Sequence, residues 1–414
     1  MAKIFHADLH GLSGVKDKAL LTLDIDKTEW SDINIEASSF YLLIPQNSDF
    51  RQEYDTWWKI TDIMPVNCTG VKTHRDHFVL DFDKDVLRKR LEAFCDRKIS
   101  DQEISERFQI HDTRDWKLAQ SRKSFSQKNW NQYLTRCLYR PFDWRAYCHH
   151  EDVVELPRHV FEKHIFGKDN LCLISVRQVA EGIFNHVFVT EDVTECRVTL
   201  SNKGAGYCYP LYLYDEDTPL QVLETSPKRR SNFSQEFLNE IITRFGYTPL
   251  PESIFHYIYA ILHSPTYRTR YVEFLKGDFP RIPLTRNNNL FCQLAEYGEQ
   301  LVAMHLMKSP VLAQTSSPFI NNGGGGIVDA GHPKYENGKV IINKKQDCFV
   351  DVPEAVWNFH VGGYQVSHKW LKDRKGRTLS PDDISHYQKI VVALGQTIEL
   401  MTKIDEAIPN WPIQ

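Results

Sequence analysis

No stretch of the sequence is apolar for long enough to span a bilayer, and the start, Met1-Ala2-Lys3-Ile4-Phe5-His6, has no apolar signal core. A spanning helix needs about 20 consecutive apolar residues, so no membrane partner is expected and the cytoplasm is the expected compartment. Nor is there an excess of positive charge: 50 Lys and Arg against 54 Asp and Glu leave a formal net charge of −4. A polyanion-binding surface must therefore be a local concentration of cations on a mildly acidic body. Cysteine pairs at CxxC spacing are missing too. The nine cysteines are odd in number and scattered from Cys68 to Cys348, a pattern of free thiols in a reducing compartment rather than of a disulfide framework or zinc site.

Catalytic signatures are also scarce. No hydrophobic strand runs into a spaced-glycine loop that would hold S-adenosylmethionine, and no proline-stiffened NPPY-type tetrad is present to grip a flipped base. There is no phosphate-cradling Walker sequence, no HExxH, and no acidic pair followed by ExK as in metal-dependent nucleases. His6, Asp8 and His10 alternate and would share a strand face, but such a pattern at a strand end is ordinarily solvated, and no metal is assigned. His149-His150-Glu151 reads as a polar loop, because adjacent strand residues point to opposite faces.

What is present is a globular composition, 42% hydrophobic and 25% charged, rich in rings (23 Phe, 18 Tyr, 9 Trp). Such rings mostly fill cores, with a minority free to stack on bases. Ile4 to Leu9, Phe40 to Pro45 and the alternating His77 to Asp83 read as strands, and Thr61 to Val66 as a short apolar segment. Leu87, Leu91 and Phe94 mark a helix, and Ser100 caps another. After Lys123 the texture turns to short aromatic strands within 137–147, 170–176, 184–190 and 207–214. Three helices follow: one capped by Ser234 and ended by Gly246, one from Ser264-Pro265 to Gly277, and one over about 290–307. The run Asn321-Asn322-Gly323-Gly324-Gly325-Gly326 reads as a flexible joint. A hairpin over 339–350 comes next. A last helix enters at Ser380-Pro381, its apolar seam Ile384, Tyr387, Val391, Leu394, Ile398 and Met401 suited to packing within the chain. The expected fold class is α+β: a mixed, irregular β-rich region, a helical block and a C-terminal helix.

Several stretches together resemble the C-terminal part of type ISP restriction–modification proteins and related large DNA adenine methyltransferases. They are FHADLHG (Phe5 to Gly11), ITDIMPVNCTGVKTHRDHFVLDFDKD (Ile60 to Asp85), DTRDWKL (Asp112 to Leu118), YRPFDWRAYCHH (Tyr139 to His150), SVRQ (Ser175 to Gln178) and CYPLYLY (Cys208 to Tyr214). Ile254 to Leu284 and Val356 to Ser380 complete the ordered set. The resemblance implies a target-recognition region that reads double-stranded DNA for a methyltransferase, and in some members for a motor and nuclease, joined in cis or in trans. It implies a boundary near 122/123. Residues 1–122 would be a remnant of the methyltransferase C-terminal edge with a connector. Residues 123–414 would be the target-recognition domain: β-rich over 123–230, helical over 231–310, jointed at 319–326, and closed by the hairpin, basic loop and helix of 327–414. No cofactor is expected in this chain; S-adenosylmethionine belongs to the missing methyltransferase part.

The DNA-contact candidates follow from side-chain chemistry: Lys, Arg and bare backbone hold phosphates, while Arg, Lys, Asn and Gln read base edges. Lys72, His74 and Arg75 follow Gly70 in a polar loop, with Arg75 alternatively paired to Asp76. Arg140 and Arg145 flank Pro141-Phe142-Asp143-Trp144, where Asp143 would otherwise neutralise an arginine and the two rings fill core. Arg177 and Gln178 end an apolar strand, with Asn185 and His186 adding polar reach. Asn202 and Lys203 form another polar loop, and Lys228-Arg229-Arg230 is a solvated linker with phosphate contact at most. Arg268 and Arg270 brace a core edge. Lys369, Lys372, Arg374, Lys375 and Arg377, beside Gly362-Gly363, form the densest basic segment and the leading phosphate-binding candidate. Two further functions stay open: a protein-interaction subunit docking a partner methyltransferase, and a nuclease of unfamiliar motif.

Overall fold

The computed structural model describes residues 3–33, 49–179, 182–201, 203–214 and 229–413. The strand expected at 40–45, Asn202 and Lys228 lie outside them. The chain divides into two compact units, Met1–Thr56 and Trp57–Gln414.

In the first unit, strand Ile4–His6 pairs antiparallel with Ser31–Ile33. Between them Ser13–Thr22 forms a helix with no buried residue, so its sequence lacks the apolar stripe that would have marked it.

The second unit has mixed α/β architecture with several small sheets. One four-stranded sheet is ordered Val193–Thr194, Leu134–Arg140, Asp143–Cys148, Leu80–Asp81. Its central hairpin turns at Pro141-Phe142, and helix Lys84–Cys95 packs on it, capped by the Asp83 carboxylate, which accepts from the Asp85 and Val86 N–H groups. Helix Asp101–Phe108 is capped by Ser100, as its sequence predicts. A single apolar cluster joins Phe94 and Phe125 to Tyr147, across positions 122 and 123. The segment expected to be one strand over 77–83 instead opens with the helical turn Asp76–Val79 before strand Leu80–Asp81. Phe78, Val79 and Leu80 are all buried, which strict alternation cannot achieve and a turn can. Thr61 to Val66 likewise begins within a helical turn, Ile60–Ile63.

A second sheet runs Cys68–Thr69, Gly206–Pro210, Cys172–Val176, Phe188–Thr190. The helical block follows. Ser234 caps Gln235–Phe245, and Gly246 ends it with a left-handed φ of 76°. Helix Pro251–His263, which no stripe announced, is its centre. Ile254, Phe255, Tyr257, Ile258, Tyr259, Ile261 and Leu262 are buried on every side, so the sequence shows no polar face. It packs against Asn288–His305, where a Cβ on Gly298 would stand 1.9 Å from the His256 carbonyl oxygen. Only glycine allows these helices to approach so closely.

The stretch from 264 to 277 is two short helices, Pro265–Arg270 and Val272–Gly277, broken at Tyr271. The glycine run expected as an open joint is closed instead: the N–H groups of Asn322, Gly324 and Gly326 donate to the Asp347 carboxylate at 2.7, 3.1 and 2.8 Å. Strands Lys339–Ile341 and Cys348–Phe349 pair as the expected hairpin. Helix Pro381–Ala407 starts on a Ser380/Asp383 capping box and buries Tyr387, Val391 and Leu394 within the chain.

Candidate nucleic-acid interface

Of the sequence-nominated residues, five meet in one lattice where the 134–148 hairpin faces the short helix Val366–Lys372 and the loop after it. Asp143, 1% exposed, binds Arg145 Nη2 at 2.8 Å and Arg374 Nη2 at 3.0 Å. Arg145 also reaches Asp373 at 3.4 Å, Lys369 pairs with the same Asp373, and Arg374 Nε lies 3.3 Å from Asp383. Arg140 pairs with Glu195 at 2.7 Å. Burial works against the Arg140 charge, yet Glu195 together with Tyr364 and Tyr139 more than offsets it and holds the guanidinium above its ordinary range. Burial pulls Arg374 below its ordinary value, opposed by Asp143 and Asp383.

Aromatic rings form the floor of this lattice. Arg145, Arg374 and Arg377 stand 4.2, 4.8 and 4.5 Å from the Phe82 centroid, and Arg140 and Arg145 both lie 3.9 Å from that of Tyr139. Phe82, Tyr139 and Tyr364 were not nominated from the sequence. Only Tyr139 adjoins a nominated arginine, Arg140 in the motif YRPFDWR; Tyr364 follows Gly362-Gly363, and Phe82 lies between two aspartates.

The lattice separates two classes of cation. Arg374 is buried and Lys369 half-buried, each with a carboxylate partner, whereas Lys372, Lys375 and Arg377 are exposed on the same segment. Among the described residues no carboxylate lies within ion-pair distance of those three. The adjacent glycines do not offer bare backbone to a ligand. A Cβ on Gly362 would lie 1.8 Å from the Thr199 carbonyl oxygen, and Gly363 N–H donates to that carbonyl at 2.9 Å. The glycines let this turn press onto residues 199–201.

The remaining candidates divide similarly. Arg75 is interior, paired not with Asp76 but with Glu155 at 3.1 Å, and lies 4.0 Å from the Trp116 ring centroid. Lys72 is half-buried and its backbone bridges Leu156, while His74 is exposed with a φ of 55°. Arg177 and Gln178 are exposed at the end of strand Cys172–Val176. Arg177 Nε lies 3.4 Å from Asp278, which also binds Lys59 at 2.6 Å, and Gln178 donates to the Gly277 carbonyl at 3.4 Å. Asn185 and His186 do not extend that edge: Asn185 donates to the His360 carbonyl and His186 is buried. Lys203 is exposed. Arg268 is buried and donates to the Leu262 carbonyl at 2.7 Å, the bracing role expected of it.

Residues 62–403 match the Type ISP C-terminal specificity domain. No curated protein matches the chain. Similar solved structures include the DrdV–DNA complex, with a TM-score of 0.73 and 20% identity over 94% of this chain and 41% of that one. A nuclease-deletion mutant of the Type ISP restriction–modification enzyme LlaGI, in complex with a DNA substrate mimic, gives a TM-score of 0.67 and 18% identity over 97% and 33% of the two chains. The ATP-dependent Type ISP enzyme LlaBIII bound to DNA gives 0.69 and 17% over 93% and 26%. The likeness is one of fold, and this chain spans less than half the length of each of these proteins.

Proposed function

The chain belongs to the Type ISP C-terminal specificity domain family, and we propose that it is the DNA target-recognition module of a restriction–modification enzyme. Its role is to hold a duplex in register and read a short sequence. Methyl transfer with S-adenosylmethionine, and any motor or nuclease step, would belong to regions joined to it in cis or in trans. The observation that carries this reading is the outward triad Lys372, Lys375 and Arg377, mounted on a lattice whose inward arginines are already neutralised by Asp143, Asp373 and Asp383. Internal pairing fixes the loop, so the outer cations meet phosphates without much ordering cost. His74, Arg177, Gln178 and Lys203 are the exposed candidates for further contact, Arg177 and Gln178 with the side-chain chemistry that reads guanine and adenine.

The test is binding of the purified chain to random-sequence duplex DNA at two salt concentrations, with and without magnesium. Enrichment of one short motif, weakening with salt and without cleavage, is the expected result. Absence of binding at low salt would refute the autonomous reader and favour a subunit that docks a partner methyltransferase. Magnesium-dependent cleavage would instead favour the nuclease.

A further inference from the structure

A cavity of about 600 Å³ opens beside the end of strand Asp143–Cys148 and helix His159–Ile165, and none of its lining residues is among those nominated as DNA contacts. Small-molecule sites span roughly 300–1,000 Å³, so one nucleotide is a reasonable occupant by size. Its lining combines three chemistries. Tyr133, Phe166 and Tyr214 supply aromatic surface; Phe166 lies 5.0 Å from the His149 ring and Tyr133 4.4 Å from the His150 ring. Lys163 and Lys168 supply cations, Lys168 with its Nζ 5.3 Å from the Tyr214 centroid.

The third is Glu162, whose side chain is 3% exposed. Its Oε2 lies 2.9 Å from His149 Nε2 and 3.6 Å from His159 Nδ1, both at ion-pair distance, whereas Oε1 has no hydrogen-bond partner. A buried carboxyl left in this state costs free energy unless something satisfies it. Burial raises its pKa, with His149, His159 and Arg158 opposing. A metal does not fit: among the described residues no group of three His, Cys, Asp or Glu is arranged to hold one.

We propose that this cavity is a single-nucleotide pocket, in which the aromatic side chains contact a base, Glu162 pairs with an edge carrying an exocyclic amino group, and Lys163 and Lys168 face the phosphate. Base–aromatic contact with hydrogen bonding to the Watson–Crick edge is how proteins hold a base removed from its stack. The nucleotide can be a free monophosphate or a base extruded from DNA; the chemistry is shared.

The purified full chain would be titrated with dAMP, dCMP, dGMP and TMP. Separately it would be mixed with duplexes carrying 2-aminopurine at successive positions, whose fluorescence rises on unstacking. Glu162→Leu removes the carboxyl together with its contacts to His149 and His159, and its fold is checked by circular dichroism; Tyr133→Ala is the second variant. Binding of dAMP, dCMP or dGMP above TMP, weakened about tenfold in both variants, supports a free-nucleotide site. A fluorescence rise that both variants abolish, without monophosphate binding, supports an extruded base. Neither signal, or signals that both variants leave intact, overturns the proposal. Duplex binding through Lys372, Lys375 and Arg377 is read independently, so failure of the pocket and failure of the target-recognition reading are distinguishable.

Discussion

Arg374 Nη2 lies 3.0 Å from Asp143 Oδ1, joining the basic segment to a hairpin 231 positions earlier. With side chains 6% and 1% exposed, this is an interior ion pair. It stands because Arg145 takes the other Asp143 oxygen, while Arg374 Nη1 donates to Trp370 O at 3.0 Å and Nε to Asp383, so that each of its three nitrogens has a partner. Burial of charge is tolerated only when such partners are present.

Asp143→Ala leaves two guanidinium groups without their shared anion. The expected loss is about 3–5 kcal/mol, read as a lower urea midpoint with an unchanged slope. The double variant Asp143→Leu/Arg374→Met, which removes both charges of the pair, should recover much of it. No recovery would mean that Arg145 and Asp383 depend on the pair for their own positions.

Lys372, Lys375 and Arg377 should behave in the opposite way. Their replacement by Ala leaves the Tm within experimental scatter, because exposed cations contribute little to stability. Duplex affinity falls, and the dependence of log K on log salt becomes shallower by about 0.9 for each phosphate that the variant no longer neutralises. An unchanged slope would place the phosphate-binding cations elsewhere, with Arg177 and Lys203 next to be tested.

This contrast shows where sequence reading stops. Ser100, Ser234 and Ser380 each predict a helix start, and each caps one, because capping is decided within about three residues. Helix Pro251–His263 was hidden because it is buried all round and carries no stripe. Lys369, Lys372, Arg374, Lys375 and Arg377 are equally basic in sequence, yet carboxylate partners separate them, and for Arg374 the decisive one is residue 143. The Glu162 cavity was still less visible, since His149-His150-Glu151 looks like any polar loop until helix His159–Ile165 is placed beside it.

The loop 321–326 depends on a single side chain. Asp347 accepts three backbone N–H bonds and one from Asn343 Nδ2 at 2.9 Å, and these hydrogen bonds outweigh burial to hold its pKa below the ordinary value. Asp347→Ala orphans the donors and should cost roughly 2–3 kcal/mol. Amide exchange at Gly324 and Gly326 should accelerate well before the core's does. Unchanged exchange at these two sites would refute the cradle.

Acid should weaken the fold through histidines held neutral in the interior. Burial, then the nearby Arg268 charge, lowers His186 from 6.5 to about 4 and His305 from 6.5 to about 3. His305 is held in place by hydrogen bonds with Tyr259 Oη at 2.6 Å and Thr397 Oγ1 at 3.0 Å. Above pH 6.5 both the folded and unfolded chains keep these rings neutral, and their stabilising effect is complete. Below 6.5 the unfolded chain takes up protons that the folded one refuses, so stability falls with pH until about 4 for His186 and about 3 for His305. For His186 the gap corresponds to roughly 3 kcal/mol. Tm measured from pH 7.5 to 4.5 should therefore decline, and His186→Leu, which also removes an unpartnered buried Nδ1, should flatten the decline without lowering Tm at pH 7.5. A variant as acid-sensitive as the parent would show that His186 is already protonated, or solvated, in the folded chain.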